Sequence, residues 1–264
     1  MAYRTRRRRS GLPIKLILAA GIILFSLFKY WSNSETNEWT GRKQHITLEP
    51  SQEIALGLQS VNQMAQQHGG LHPNQALQDM IDKIGNRLVS ASIARETPYK
   101  YDFHLLRDPN TINAFALPGG QVFITYGLLK RLENEDQLAG VLGHEIGHVV
   151  GRHSAERIAK QDLTQGIVSG VLVGSDGGSG AAQTVAMIGN MINMKYGRED
   201  ELESDDLGVR FMIDAGYQPE EMLGVMKILK QAGGGNRTPE FQSTHPYPEN
   251  RMIKIKEAIV KYRK

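Results

Sequence analysis

Residues 134–160 read NEDQLAGVLGHEIGHVVGRHSAERIAK, and their spacing decides what the rest of the chain must do. Leu138, Val141, Leu142, Ile146, Val149 and Val150 recur at the period of an amphipathic helix. Asn134 followed three residues later by Gln137 makes a capping pair. Glu133, Glu135 and Asp136 gather at the start, with Arg152, Arg157 and Lys160 towards the end, as a helix dipole favours. On such a helix His144 and His148 lie one turn apart on one face, so both imidazoles can bind one metal ion. Glu145 stands beside the first of them, placed to act as general base on a water at that metal.

Gly140, Gly143, Gly147 and Gly151 interrupt the helix, each at a cost of roughly 1 kcal/mol relative to alanine. Three of them share one i, i+4 stripe, which predicts a second element packed very close, able to bring a further ligand. A hydrolytic metal site needs three protein ligands and one position left for water. With no cysteine in the chain, those ligands must be histidines or carboxylates. Residues 198–206, REDELESDD, resume a helix-compatible pattern. Glu201 and Asp205 are four apart and share a face, so one can bind the metal while the other accepts from a histidine ring. His68 and His72 flank Gly69 and Gly70 ahead of Pro73, which reads as a loop and not as a ligand pair. His104 falls on the solvent side of a predicted strand.

The chain has 264 residues and a net charge of +3. Arg4, Arg6, Arg7, Arg8 and Arg9 supply five positive charges, so the rest is slightly acidic and no nucleic-acid-binding body is indicated. Residues 1–10 form a basic tail. Residues 11–31 are apolar between snorkelling Lys15 and Lys29 and approach the ~20 residues of a membrane span. A signal peptide has the same basic start and apolar centre, but no small-x-small site follows, and Phe28, Lys29, Tyr30 and Trp31 are poor cleavage residues. The reading is therefore a single N-terminal anchor, with the arginines cytoplasmic and the remainder on the opposite, extracytoplasmic side. Residues 32–48 are polar and aperiodic, a tether. Residues 49–264 form the catalytic domain.

Within that domain residues 51–67 and 74–92 read as helices, the second burying Leu77, Met80, Ile81, Ile84, Leu88 and Val89. Residues 99–106, 113–117 and 121–126 read as strands, so a hairpin or small sheet precedes the metal helix, its outermost strand open to an extended peptide. Residues 166–182, GIVSGVLVGSDGGSGAA, are too short and broken for a second span; they read as a mobile lid or a surface loop.

The combination of His144-Glu145-x-x-His148 with Glu201-x-x-x-Asp205 resembles the gluzincin peptidases of family M forty-eight. These include the HtpX-like and Oma-like proteases and the C-a-a-X prenyl protease. Asn113-Ala114-Phe115-Ala116-Leu117-Pro118-Gly119-Gly120 upstream, and Ser243-Thr244-His245-Pro246 with Arg251 downstream, match the same family. The resemblance spans roughly residues 50–260. It implies an α+β, mainly helical gluzincin fold with a small sheet beside the H-E-x-x-H helix and one N-terminal transmembrane helix. It further implies one Zn²⁺ per chain held by His144, His148 and Glu201, Glu145 as base, and Asp205 as partner of a ligand histidine. Asn113, Ala114, Phe115 and Ala116 would line the substrate groove. His245 would stand near the metal on the side opposite Glu145, either donating to the oxyanion or transiently taking the open metal position. His153, Arg152 and Arg198 also fit the pattern and are assigned structural pairing. One anchor, and an end soon after His245, place the chain in the singly anchored branch without C-terminal repeats. The expected activity is endoproteolysis of unfolded or damaged membrane-associated or envelope proteins. Its alternatives are a chaperone or scaffold with gated proteolysis, or a structural zinc.

Overall fold

The computed structural model describes residues 14–174, 196–232, 240–245 and 250–263. Helix α1 (Ile14–Ser32) leads into a two-stranded hairpin, β1 (Ser34–Thr36) and β2 (Lys43–His45). Helices α2 (Pro50–Gln67) and α3 (Gln75–Ala91) follow, then a 3-10 turn (Ile93–Glu96) and strands β3 (Asp102–Leu106), β4 (Ala114–Ala116) and β5 (Gln121–Thr125). After the single turn α4 (Tyr126–Leu129) come α5 (Glu135–Val150), α6 (His153–Gly174), α7 (Arg198–Asp214), α8 (Glu221–Ala232), α9 (Glu240–Thr244) and α10 (Arg251–Tyr262). The molecule is mainly helical with a small sheet, the fold class predicted from the sequence.

Local chemistry sets most of these boundaries. Asn74 caps α3 by accepting from the Leu77 N–H at 3.2 Å, and Asn134 caps α5 by accepting from the Gln137 N–H at 2.8 Å. Pro50 opens α2, where its missing N–H costs nothing. The sheet order is β3-β5-β4, with β3 parallel and β4 antiparallel to the central β5. Gly119 and Gly120, at φ +81° and +107°, make the tight turn between β4 and β5.

Helix α5 runs through the core, buried on every side from Gln137 to Val150. Its glycines explain how. A Cβ on Gly143 would lie 3.3 Å from the Gly208 carbonyl oxygen, and one on Gly147 would lie 3.0 Å from Ser204 Cα. Both face α7, the close neighbour that the glycine stripe predicts. Gly140 instead faces Met222 of α8, and Gly151 faces the ring of His153. The sheet rests on α5 through β4 and β5, and α3 closes another side.

Three expectations change. Residues 32–48 are not a loose tether: the β1–β2 hairpin is docked on the end of α5. Asn37 Nδ2 donates to the Val150 carbonyl at 3.0 Å, and Gln44 Nε2 to the Gly151 carbonyl at 2.6 Å. Polar side chains without periodicity look like a linker in sequence, but here they satisfy the carbonyls left over where a helix ends. Residues 166–174 are not loop but the last turns of α6, which pack against α1; residues 175–182 of that stretch lie outside the described residues, as does the basic tail 1–10. His104 is half-buried, stacked on Phe123 with Nε2 2.8 Å from Gln121 Oε1. Among the described residues, α1 is the helix long and apolar enough to cross a membrane.

Candidate metal centre

Four side chains from three helical segments meet at one point. His144 and His148 come from α5, Glu201 from the first turn of α7, and His245 from just beyond α9. Each offers one ligand atom, and these atoms lie within 4.8 Å of one another. His144 Nε2 is 3.1 Å from His148 Nε2 and 3.6 Å from Glu201 Oε2. His148 Nε2 is 3.4 Å from Glu201 Oε1. His245 Nδ1 stands 3.4 Å from His144 Nε2 and 3.0 Å from Glu201 Oε1. Donors 2.0–2.1 Å from a tetrahedral ion stand roughly 3.3–3.4 Å apart, so this set fits a small divalent cation.

Burial sharpens the argument. His144, His148, Glu201 and His245 are all 2% exposed or less. His245 Nε2 and both carboxylate oxygens of Glu145, wholly buried next to the cluster, make no hydrogen bond. The two side chains face each other at 3.7 Å, so His245 is not on the side opposite Glu145, and Glu201 Oε2 lies 3.0 Å from Arg251. Orphaned polar atoms at such depth are costly unless something binds them. Burial raises the Glu145 pKa despite the nearby His245 and His144, while Glu201 is held well below the usual range by His245, His148 and Arg251 in spite of its burial. His148 is pushed well below its ordinary value, chiefly by burial, which keeps it neutral as a ligand must be.

Each α5 histidine has its outer ring nitrogen fixed. His144 Nδ1 donates to Asp205 Oδ1 at 3.0 Å, which leaves Nε2 free to bind a cation. Asp205 is in turn gripped by Arg251, whose Nε and second terminal nitrogen donate at 2.7 Å to its two oxygens. His148 Nδ1 lies 2.9 Å from His153 Nδ1, and His153 Nε2 lies 2.9 Å from Glu203 Oε2. One tautomer pattern satisfies both contacts: His148 donates to His153, and His153 donates to Glu203. Glu203 pairs with Arg42 Nε at 3.0 Å, and the same guanidinium reaches Asp200 at 2.7 Å and also Glu156. Arg42 sits on the hairpin that follows α1.

Glu201 and Asp205 therefore lie where the sequence pattern put them, on the inward face of an otherwise acidic helix. Sequence reasoning missed Arg42, whose place is set by a hairpin with no pattern of its own. It also gave His153 only generic pairing. The signal for His153 was its five-residue offset from His148, just past the Gly151–Arg152 break at which Arg152 takes φ +54°. Tyr196 was noted as part of a motif only; its ring stacks on His148 at 4.1 Å between centroids. His68 and His72 do not belong to the cluster.

A cleft opens beside the metal cluster. Asn113, Phe115, Ala116 and Leu117 line it from β4 and its flanks, Met64 from α2, His68 from just past the end of α2, and Tyr196 and His245 from the cluster side. Ala114, expected to line the groove, is instead wholly buried in the core and does not reach the cleft. Asn113 and Leu117 bond to β5 through Thr125 and Gln121, and Phe115 lies opposite Phe123 in the same register. Antiparallel pairing alternates, so the N–H and C=O groups of Ala114 and Ala116 face away from β5.

This chain is similar to known proteases over most of its length. The beta-barrel assembly-enhancing protease of Escherichia coli K12 is 32% identical over 221 residues, 80% of this chain and 45% of that protein. The mitochondrial metalloendopeptidase OMA1 of Schizosaccharomyces pombe is 33% identical over 178 residues, 67% of this chain and 51% of that protein. OMA1 of Saccharomyces cerevisiae is 29% identical over 252 residues, 89% of this chain and 72% of that protein. The chain thus spans about half the length of the first of these relatives. The sequence model of Peptidase family M48 matches residues 75–259, a range that holds the H-E-x-x-H helix, Glu201, His245 and Arg251. By that match the chain belongs to Peptidase family M48.

Proposed function

We propose that this chain is a membrane-held zinc metalloendopeptidase acting on unfolded or damaged membrane-associated polypeptides. The observation that carries the reading is the buried donor set of His144, His148 and Glu201 with the carboxylate of Glu145, which accepts no hydrogen bond, beside it. A zinc ion in that set would supply a Lewis acid for the attacking water and for the carbonyl under attack. Glu145 takes the proton from that water and delivers it to the leaving amine; its burial-raised pKa suits a base that must also act as an acid. Asp205 with Arg251, and His153 with Glu203, hold the two histidine rings in their binding tautomers. The outward main chain of Ala116, which lines the cleft, receives substrate as an added strand, with Asn113 and Phe115 along its side. The positive-inside rule places the catalytic domain on the extracytoplasmic side. Names of relatives that describe assembly enhancement and mitochondrial proteolysis accord with a quality-control role.

The decisive experiment measures zinc content and casein cleavage together, in the wild-type chain and in Glu145→Gln. Zinc should be stoichiometric in both, with turnover reduced about 10²–10⁴-fold in the variant. Wild-type turnover in Glu145→Gln would remove the base assignment, and absence of zinc from the wild type would remove the metal.

One observation favours a gated form of the same site. His245 Nδ1 stands among the donors and not merely near them, so it fills the fourth place. Such a chain would bind clients and cleave only when His245 withdraws. His245→Ala separates the roles: faster casein cleavage marks a gate, and slower cleavage with zinc retained marks an oxyanion donor.

A further inference from the structure

The end of helix α6 lies against α1, and that contact has a consequence for the membrane. The two helices run antiparallel. A Cβ on Gly166 would meet Ser26 of α1, one on Gly170 would lie 2.5 Å from Ile23 Cγ1, and one on Gly174 would lie 3.1 Å from Ala19 Cβ. Any depth taken by residues Ala19 to Ser26 is therefore shared by Gly166 to Gly174.

The composition of α6 changes where that contact begins. Asp162 pairs with Lys29 at 3.9 Å, level with Tyr30 and Trp31 of α1, and no charged residue follows on α6 through Gly174. Charged and aromatic side chains at one level are the usual marks of a membrane–water boundary. Beyond it Gln165 is still exposed, but from Gly166 onward the exposed side chains of α6, Val171 and Val173, are apolar, as are Leu18, Leu24 and Phe25 on the facing stretch of α1. The hydroxyls in this pair turn inward on their own helices. Ser26 Oγ donates to the Ile22 carbonyl at 2.9 Å, Thr164 Oγ1 to Lys160 at 2.8 Å, and Ser169 Oγ to Gln165 at 2.8 Å. Hydrocarbon demands such internal satisfaction, whereas water does not.

We propose that α6, from about Gly166 to Gly174, enters the bilayer hydrocarbon beside α1, so that the protein is held by two packed helices and not by a single anchor. This inference rests on α1 being a membrane span. Gly174 is eight residues beyond Gly166, so α6 penetrates about 12 Å of a core roughly 30 Å thick. At its other end the same helix begins with His153, in contact with the metal ligand His148. A continuous helix thus joins the metal centre to the membrane, with about 20 Å between His153 and Gly166. It fixes the cleft at one height above the lipid, where it meets polypeptide close to the membrane surface.

The chain has no cysteine, so single cysteines can be labelled without background. An environment-sensitive fluorophore is placed at Val173→Cys, with Phe25→Cys on α1 and Ser90→Cys on exposed α3 as references. Each full-length protein is reconstituted in phosphatidylcholine–phosphatidylglycerol vesicles and quenched by brominated lipid or by aqueous iodide. The Val173 label should lose emission to brominated lipid as fully as the Phe25 label and resist iodide, while the Ser90 label shows the reverse. Iodide quenching at Val173 with lipid quenching at Phe25 overturns the inference and leaves the α1 span standing. Iodide quenching at Phe25 removes the span, and the inference falls with it. Resistance of the Val173 label to both quenchers, with Phe25 in lipid, assigns this face to a second copy of the chain and also overturns the inference.

Discussion

Arg251 shows how far a single residue governs this site without touching a substrate. It is 1% exposed, grips both oxygens of Asp205, and lies 3.0 Å from Glu201 Oε2. Burial alone would raise the Asp205 pKa, but Arg251 and His144 outweigh it and hold the carboxyl below its usual range. An ionised Asp205 keeps the His144 proton on Nδ1 and the lone pair on Nε2. Arg251→Met should weaken zinc binding about 10–100-fold, a typical cost of losing such a supporting contact. Titration against a competing chelator checks this, and an unchanged affinity would show that Asp205 orients His144 unaided. Glu201→Ala, which removes a donor outright, should lose bound zinc far more completely.

At the scale of elements, α5 and α7 approach through small residues, and the glycines of α5 are not equivalent. A Cβ at Gly147 would stand 3.0 Å from both Ser204 Cα and its carbonyl oxygen, main-chain atoms that cannot move alone. A Cβ at Gly140 would meet nothing nearer than 3.5 Å. Gly147→Ala should therefore cost about 1–3 kcal/mol through overpacking. Gly140→Ala should be neutral or stabilising by up to roughly 1 kcal/mol through helix propensity. Thermal unfolding of the two variants in detergent tests the contrast. The N-terminus of α5 is tied to α8 by Glu221, which accepts from Gln137 at 2.9 Å and Asn134 at 3.1 Å. These hydrogen bonds lower its pKa from 4.5. A depressed carboxyl stabilises the fold above its unfolded pKa and loses that contribution as pH falls through the folded value. The wild type should thus exceed Glu221→Gln in stability at neutral pH, by a small margin because the group is mostly exposed. The margin should vanish on acidification below pH 4.5.

Across the whole molecule, α1 and the candidate metal centre form one connected structure. From α1 the chain passes into the hairpin, and Arg42 there reaches Asp200, Glu203 and Glu156. Through Glu203 and His153 that grip extends to His148. Arg152 adds a second hold, binding Glu53 at 2.6 Å and the Leu48 carbonyl at 2.8 Å, and pairing with Glu35 of β1. Arg42→Met should lower zinc affinity about 10-fold and expose residues 33–46 to limited proteolysis. A variant with intact affinity and a protected hairpin would show that the hairpin is ornamental to the site.

The sequence by itself determined the helix of α5, the shared face of His144 and His148 with Glu145 beside them, and the inward face of Glu201 and Asp205. These rest on local rules: a 3.6-residue period, an i, i+4 spacing and a capping pair all act within a few residues. It also foretold a close neighbour for α5, because glycines in a helix interior are costly unless something packs there. Only the tertiary structure decided that His153 serves His148, that Arg42 serves both through Glu203, and that residues 32–48 form a docked hairpin. His153 and Glu203 are 50 residues apart, Asn37 of the hairpin and Val150 are 113 apart, and even the five-residue step from His148 to His153 depends on the break at Arg152. The packing of α6 on α1 is of the same kind. In sequence the earlier segment reads as an anchor and the later as a lid or loop, and the close approach across Gly166, Gly170 and Gly174 exists only once the fold has brought both helices together.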